Sequence, residues 1–149
     1  MYPRLLNHFK SHTFFLFGAR ATDKTRLLRA HFEGKVALWI DLLSNKDFLR
    51  YSKEPGLLYD RCTQEVSDAK DGQLLWIVID EVQKVPALLN EVHRVLEASF
   101  AEDAQGKKRI CFALTGSSAR KIKRGGANML ARIIHEPSTA MTDLLESAL

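Results

Sequence analysis

The chain is predicted to fold as an α/β protein, with a mainly parallel sheet packed between helices. Three observations carry this reading. Val36–Leu42 (VALWIDL) and Leu74–Asp80 (LLWIVID) are near-continuous apolar runs, as expected of strands covered on both faces. The segment after Pro86 repeats apolar residues at helical spacing. Phe14–Leu28 (FFLFGARATDKTRLL) passes from an apolar strand through a glycine-headed loop into a helix, an order that places free helix N–H groups beside the loop.

Length and composition set the bounds. A chain of 149 residues is about one domain, with enough apolar content for a hydrophobic core. Cys62 and Cys111 are far apart, without C-x-x-C spacing, and fit buried thiols in a reducing compartment better than a disulfide or a metal site. No segment approaches the ~18 apolar residues of a membrane helix. The N-terminal apolar run is short and opens into the loop rather than a cleavage site, so no signal peptide is expected and the protein is placed in the cytoplasm. A net charge of +4 permits nucleic acid contact without requiring it.

The elements follow in order. Pro3–Lys10 carries Leu5, Leu6 and Phe9 at helical spacing and is expected to be a short amphipathic helix. Thr13–Phe17 is the first strand. A helix from Lys24 turns Leu27, Leu28, His31 and Phe32 inward and stops at Gly34. Val36–Leu42 is the second strand, with Asp41 expected to cap the turn that follows. Ser44–Tyr51 and Gly56–Val66 read as helices, the latter entered through Pro55, and Ser67–Gln73 as a loop. Leu74–Asp80 is the third strand. The helix after Pro86 carries an apolar face of Leu88, Leu89, Val92, Val95, Leu96 and Phe100, opposite Asn90, Glu91, His93, Arg94 and Glu97. Arg109–Leu114 is the fourth strand, ending in Thr115-Gly116-Ser117-Ser118, and Arg132–His135 is expected to be the last.

Two constellations carry chemistry. Gly18-Ala19-Arg20-Ala21-Thr22-Asp23-Lys24-Thr25 follows the phosphate-loop pattern G-x-x-x-x-G-K-[ST], in which the lysine meets the outer phosphates and the hydroxyl meets magnesium. The second glycine is replaced by Asp23. Two like charges ~4 Å apart at an effective dielectric near 20 repel by roughly 4 kcal/mol, about a thousandfold in affinity. Arg20 or Mg2+ could offset part of this, and the loop alone reads equally as a strand-turn-helix corner. The second constellation is Asp80-Glu81, an acidic pair ending a buried strand at the edge where open α/β sheets bind ligands. In a nucleotide site the first carboxylate holds magnesium through water and the second polarises the attacking water; otherwise the pair is a polar strand end.

The small polar residues Thr115 and Ser117 beside this pair suit a terminal-phosphate sensor or a helix N-cap. Arg120-Lys121-Ile122-Lys123-Arg124, with Lys107, Lys108 and Arg109, could form a basic surface for phosphate backbones, or a solvated helix before a Gly125-Gly126 hinge.

The segments PRLLNHFKSHTFFLFGAR, DEVQKVPALLNEVHRVLE and LTGSSARKIKRGGANML resemble the prokaryotic AAA-type P-loop ATPases that carry a long C-terminal region of unknown function. The resemblance covers nearly the whole chain. It implies a three-layer P-loop NTPase core of the additional-strand type, with the strand ending at Thr115 between the loop strand and the one ending at Asp80. It implies a cofactor pair of ATP and Mg2+. Gly18 to Arg26 would line the nucleotide, Lys24 would contact phosphate, and Thr25 and Asp80 would hold the metal. Glu81 would activate water, and Thr115 with Ser117 would be the sensor. Such proteins usually work with a lid, a protein partner or a further subunit that supplies an arginine, for which Arg120 is the nominee here.

The family loop typically reads G-P-R-G-T-G-K-[ST], and here Ala19, Ala21 and Asp23 replace a proline and two glycines. An alanine held at positive φ at position 21 would cost on the order of 1 kcal/mol. The chain is expected to be a single ATPase domain: a helix over 3–10, a core over 13–136 and a tail over 137–149 that includes a final amphipathic turn, without the family's C-terminal region. Two functions follow. One is an ATP-binding domain with slow or absent hydrolysis. The other is a non-enzymatic remnant or interaction module of the same fold.

Overall fold

Along β1 (Thr13–Phe17) every residue is buried, and alternate side chains serve opposite faces of the sheet. Phe14 and Leu16 join Trp76, Val78, Cys111 and Ala113 on one face, against Leu28 and Phe32. Phe15 and Phe17 join Ile40, Ile77, Ile79 and Leu114 on the other. The computed structural model describes residues 12–17, 21–70, 72–117 and 139–143, with backbone alone for 21–23 and 139–143.

The remaining strands are β2 (Val36–Asp41), β3 (Leu75–Asp80), β4 (Ile110–Gly116) and β5 (Thr139–Asp143). They form one sheet in the order β2-β3-β4-β1-β5, and every described pairing is parallel. Helix α1 (Ala21–His31) covers the first face. Helices α2 (Asn45–Lys53), α3 (Leu57–Asp68) and α4 (Leu88–Glu97) bring Tyr51, Leu58, Cys62, Leu88, Val92 and Val95 to the second. This is a three-layer α/β/α fold, with β4 inserted between β1 and β3 as the additional-strand arrangement requires.

Several expectations need correction. Helix α1 begins at Ala21 rather than Lys24, because the two loop glycines that would oppose a helix are Ala21 and Asp23 here. Ala21 is therefore helical and carries no positive-φ strain. Strand β2 is only half-buried, since it lies at the sheet edge. The fourth strand runs on to Gly116, so Thr115 lies fully buried within it rather than at its tip.

The outer strand beside β1 is Thr139–Asp143, inside the segment expected to be a tail and an amphipathic turn. Its sequence, TAMTD, has no apolar run, and its place is set by pairing with β1. The expected strand at Arg132–His135, the helix over 3–10 and the basic run at Arg120–Arg124 lie outside the described residues. Glu91 is buried on α4 rather than solvated; it accepts from Arg94 at 2.6 Å, and that guanidinium stacks 4.4 Å from the Tyr59 ring centre. His93 is also more enclosed than expected, with its side chain 16% exposed and Nε2 3.3 Å from Glu97.

Other expectations hold. Gly34 follows α1 at φ 70, a conformation glycine adopts without cost. Asp41 does cap its turn, accepting the Leu43 N–H at 3.0 Å. Cys62 and Cys111 are free and buried, and burial pushes both thiols up to about 12. Among the described residues no helix is long and apolar enough to cross a membrane.

Candidate functional site

Parallel pairing brings the strand ends level. Phe17 pairs with Gly116, Ile79 with Leu114 and Asp41 with Asp80. Whatever follows β1, β3 and β4 therefore meets at one edge of the sheet. Helix α1 delivers Lys24 and Thr25 to this edge from its first turns. The Thr25 hydroxyl donates to Asp80 Oδ2. Thr115 donates to Asp80 Oδ1 at 2.6 Å and accepts the Glu81 backbone N–H at 2.9 Å. One hydrogen-bonded chain thus joins α1, β3 and β4.

Lys24 is only 2% exposed, although ammonium groups are rarely buried unless paired. Its Nζ donates to the Gly116 carbonyl and lies 3.7 Å from Glu81 Oε2. The cation that the sequence assigns to phosphate is here engaged by the end of β4 and by the second carboxylate.

Glu81 adopts φ 62 and ψ 53, and among the described residues it is the one non-glycine residue at positive φ. This conformation costs roughly 1–3 kcal/mol and recurs where a side chain must be re-aimed at a site. It stops β3 abruptly, so that a short 3-10 turn, Val82–Lys84, follows and folds the chain back. The turn brings in a residue that the sequence reading missed. Gln83 Nε2 donates to Glu81 Oε1 at 2.5 Å and faces Ser117 Oγ at 3.4 Å. The available signal was an amide two residues beyond an acidic strand end, in a segment too short for a helix before Pro86. Two buried acceptors, Glu81 Oε2 and Gln83 Oε1, have no hydrogen-bond donor among the described residues.

Burial raises the Asp80 carboxyl above the usual carboxylate range, and the charges of Glu81 and Asp41 add to the rise, against hydrogen bonds from Thr115 and Thr25. Because the folded value is raised, its stabilising contribution is complete below the unfolded value near ~3.9 and is lost as pH rises through the folded one. Above the folded value the ionised carboxylate therefore opposes folding of the chain. Asp80→Asn is expected to raise stability by about 1 kcal/mol in chelator once the pH exceeds the folded value. The gain should shrink as pH falls into the range where Asp80 is protonated. Thermal melts of both chains across pH check it; an unchanged or lower melting temperature for Asp80→Asn at every pH would contradict this account.

The other nominated residues are placed as follows. Gly18, Ala19 and Arg20 lie outside the described residues. Ala21, Thr22 and Asp23 belong to the first turn of α1 by backbone. Arg26 is exposed and lines a shallow groove with Arg29, Phe32 and Trp39, away from the strand ends. Lys107, Lys108 and Arg109 precede β4, so a strand of seven residues separates them from Ser117, about 20 Å. Lys108 there pairs with Glu102 at 3.5 Å, and Arg109 reaches the Val66 and Lys70 carbonyls at 3.4 Å.

The strand order, the two-faced helical cover and a Lys-Thr pair packed against the acidic end of β3 define a P-loop NTPase core. Residues 10–142 match the AAA domain family, and the chain belongs to it. An ATPase-type domain is thereby established. No curated protein matches the chain. Among solved structures it is similar to a chain of Drosophila ORC bound to DNA, at 12% identity and a TM-score of 0.53, over 95% of this chain and 86% of that one. It is also similar to Cdc6p from Pyrobaculum aerophilum, at 14% identity and a TM-score of 0.53, over 93% of this chain and 42% of that one. At such identities the likeness is one of fold.

Proposed function

We propose that this chain is an ATP-binding AAA-type domain whose hydrolysis is slow or absent because Asp23 stands before Lys24. The observation that carries the reading is the Thr25–Asp80–Thr115 chain of hydrogen bonds, closed by Glu81 beside Lys24. The finer assignment, to prokaryotic AAA-type proteins with a C-terminal region of unknown function, rests on the segments around DEVQKVP and LTGSSARKIKR.

The donor set fits Mg2+. Thr25 offers a hydroxyl and Asp80 a carboxylate, both hard oxygen donors and already side by side. When bound, the ion neutralises charge on the phosphate oxygens. Lys24 leaves Gly116 and Glu81 to meet the outer phosphates. Glu81 Oε2, which has no hydrogen-bond donor among the described residues, accepts a hydrogen from the attacking water and takes its proton as the water oxygen bonds to the terminal phosphorus. The phosphorus–bridging-oxygen bond breaks, and ADP leaves. Thr115 has committed its hydroxyl to Asp80 and Glu81, so it braces the acidic pair, and among the described residues Ser117 offers its hydroxyl to phosphate.

Calorimetric titration tests the reading. ATP is expected to bind with Mg2+ present, to bind more weakly in chelator, and to lose binding in Lys24→Ala. If neither wild type nor Asp23→Gly binds ATP, the nucleotide reading fails and the chain is an interaction module of the same fold.

A further inference from the structure

We propose that Gln83 is a positioning residue, which fixes the Glu81 carboxylate and couples it to Ser117 at the end of β4; its place in catalysis rests on the nucleotide reading above. The positive φ of Glu81 and the 3-10 turn Val82–Lys84 fold the chain so that two side chains two residues apart meet. The Gln83 amide carries two N–H donors, and two acceptors lie before it: Glu81 Oε1 at 2.5 Å and Ser117 Oγ at 3.4 Å. Its orientation is decided by its partner, because a reversed amide would set oxygen against carboxylate oxygen.

The consequence for Glu81 is specific. Oε1 is tied to Gln83, while Oε2, 3.7 Å from the Lys24 ammonium, has no hydrogen-bond donor among the described residues. A carboxylate held in this way presents one defined oxygen to water instead of sampling rotamers. The second bond is long, so Ser117 and Glu81 are only loosely linked while the serine hydroxyl is unengaged. A phosphate that accepts the Ser117 hydroxyl would fix that oxygen, and the oxygen would still accept from Gln83. Gln83 thereby passes the state of Ser117 to Glu81. Gln83 Oε1, which meets no donor among the described residues, is turned away so that the N–H side can face the acid.

Nuclear magnetic resonance of the full chain without nucleotide tests the link. Ser117→Ala is expected to shift the Gln83 side-chain amide and the Glu81 carboxylate carbon. In a Gln83→Leu background the same serine substitution should leave the Glu81 resonance unmoved. An equal Glu81 response in both backgrounds, or none in either, overturns the proposal. This arm stands apart from nucleotide binding, so a chain that shows the coupling but binds no ATP refutes the nucleotide reading alone. With ATP and Mg2+, in wild type or in Asp23→Asn, Gln83→Leu and Gln83→Glu are both expected to lower kcat about 10–100-fold. KM should hold within about twofold. Undiminished kcat in both variants overturns the positioning role, and where no turnover is measurable the resonance arm decides.

Discussion

Asp23→Asn is expected to tighten binding of ATP with Mg2+ by up to about a thousandfold, the size of a like-charge repulsion at ~4 Å in a medium of effective dielectric near 20. The backbone sharpens this expectation. With α1 starting at Ala21, Asp23 is the third helical residue, inside the first turn, where N–H groups lack intrahelical partners and the dipole favours an anion. A carboxylate there stabilises the helix by about 0.3–1 kcal/mol. It does so at the end of the helix that a phosphate would use. Asparagine keeps the shape and removes the charge, so the loss of stability should be small beside the gain in affinity. Asp23→Gly also removes bulk, against a helix penalty of about 1 kcal/mol. Titration of the three chains, with melts alongside, separates the causes. Tighter binding in both variants assigns the obstacle to charge, and tighter binding in glycine alone assigns it to bulk. No change in either means that Asp23 is not what limits the site.

What the sequence made legible follows from how local the signals are. Strand β1 and the end of β3 at Asp80 were placed to the residue, because apolar runs bounded by polar residues need no tertiary information. The apolar face of α4 was legible from its helical spacing as far as Leu96, but the helix ends at Glu97 and Phe100 falls in the 3-10 turn Ser99–Ala101 that follows. Strand β5 was not, since nothing in TAMTD prefers a strand until β1 offers an open edge. The early start of α1 was hidden by the loop pattern itself, which assumes glycines that this chain lacks. At the site, Lys24, Thr25, Asp80 and Glu81 were nominated and are found together at the strand ends. Their mutual engagement was not legible. The Lys24–Glu81 and Gln83–Ser117 contacts join residues 57 and 34 positions apart, and both depend on a left-handed Glu81 that no local rule demands. Local reading finds the parts of such a site, but the contacts between its parts are tertiary.

That engagement sets the second large expectation. Lys24→Met should destabilise the nucleotide-free chain by about 3–5 kcal/mol, because it leaves the Glu81 carboxylate buried without its cation. Glu81→Gln should cost less, since Lys24 retains the Gly116 carbonyl. The double variant should recover most of the loss, because two neutral side chains of similar volume no longer require each other. Urea unfolding of the four chains yields the coupling energy, and a Lys24→Met cost below about 1 kcal/mol would mean that the ammonium is not held where it lies. The same pair governs the ligand. ATP must draw Lys24 away from Glu81 and Gly116, so part of the phosphate's attraction is spent on breaking contacts that already exist. Glu81→Gln weakens that competition while removing the base, and it is therefore expected to bind ATP more tightly than wild type and to hydrolyse none. Weaker binding in Glu81→Gln would show that the carboxylate assists the nucleotide rather than competing with it for the lysine.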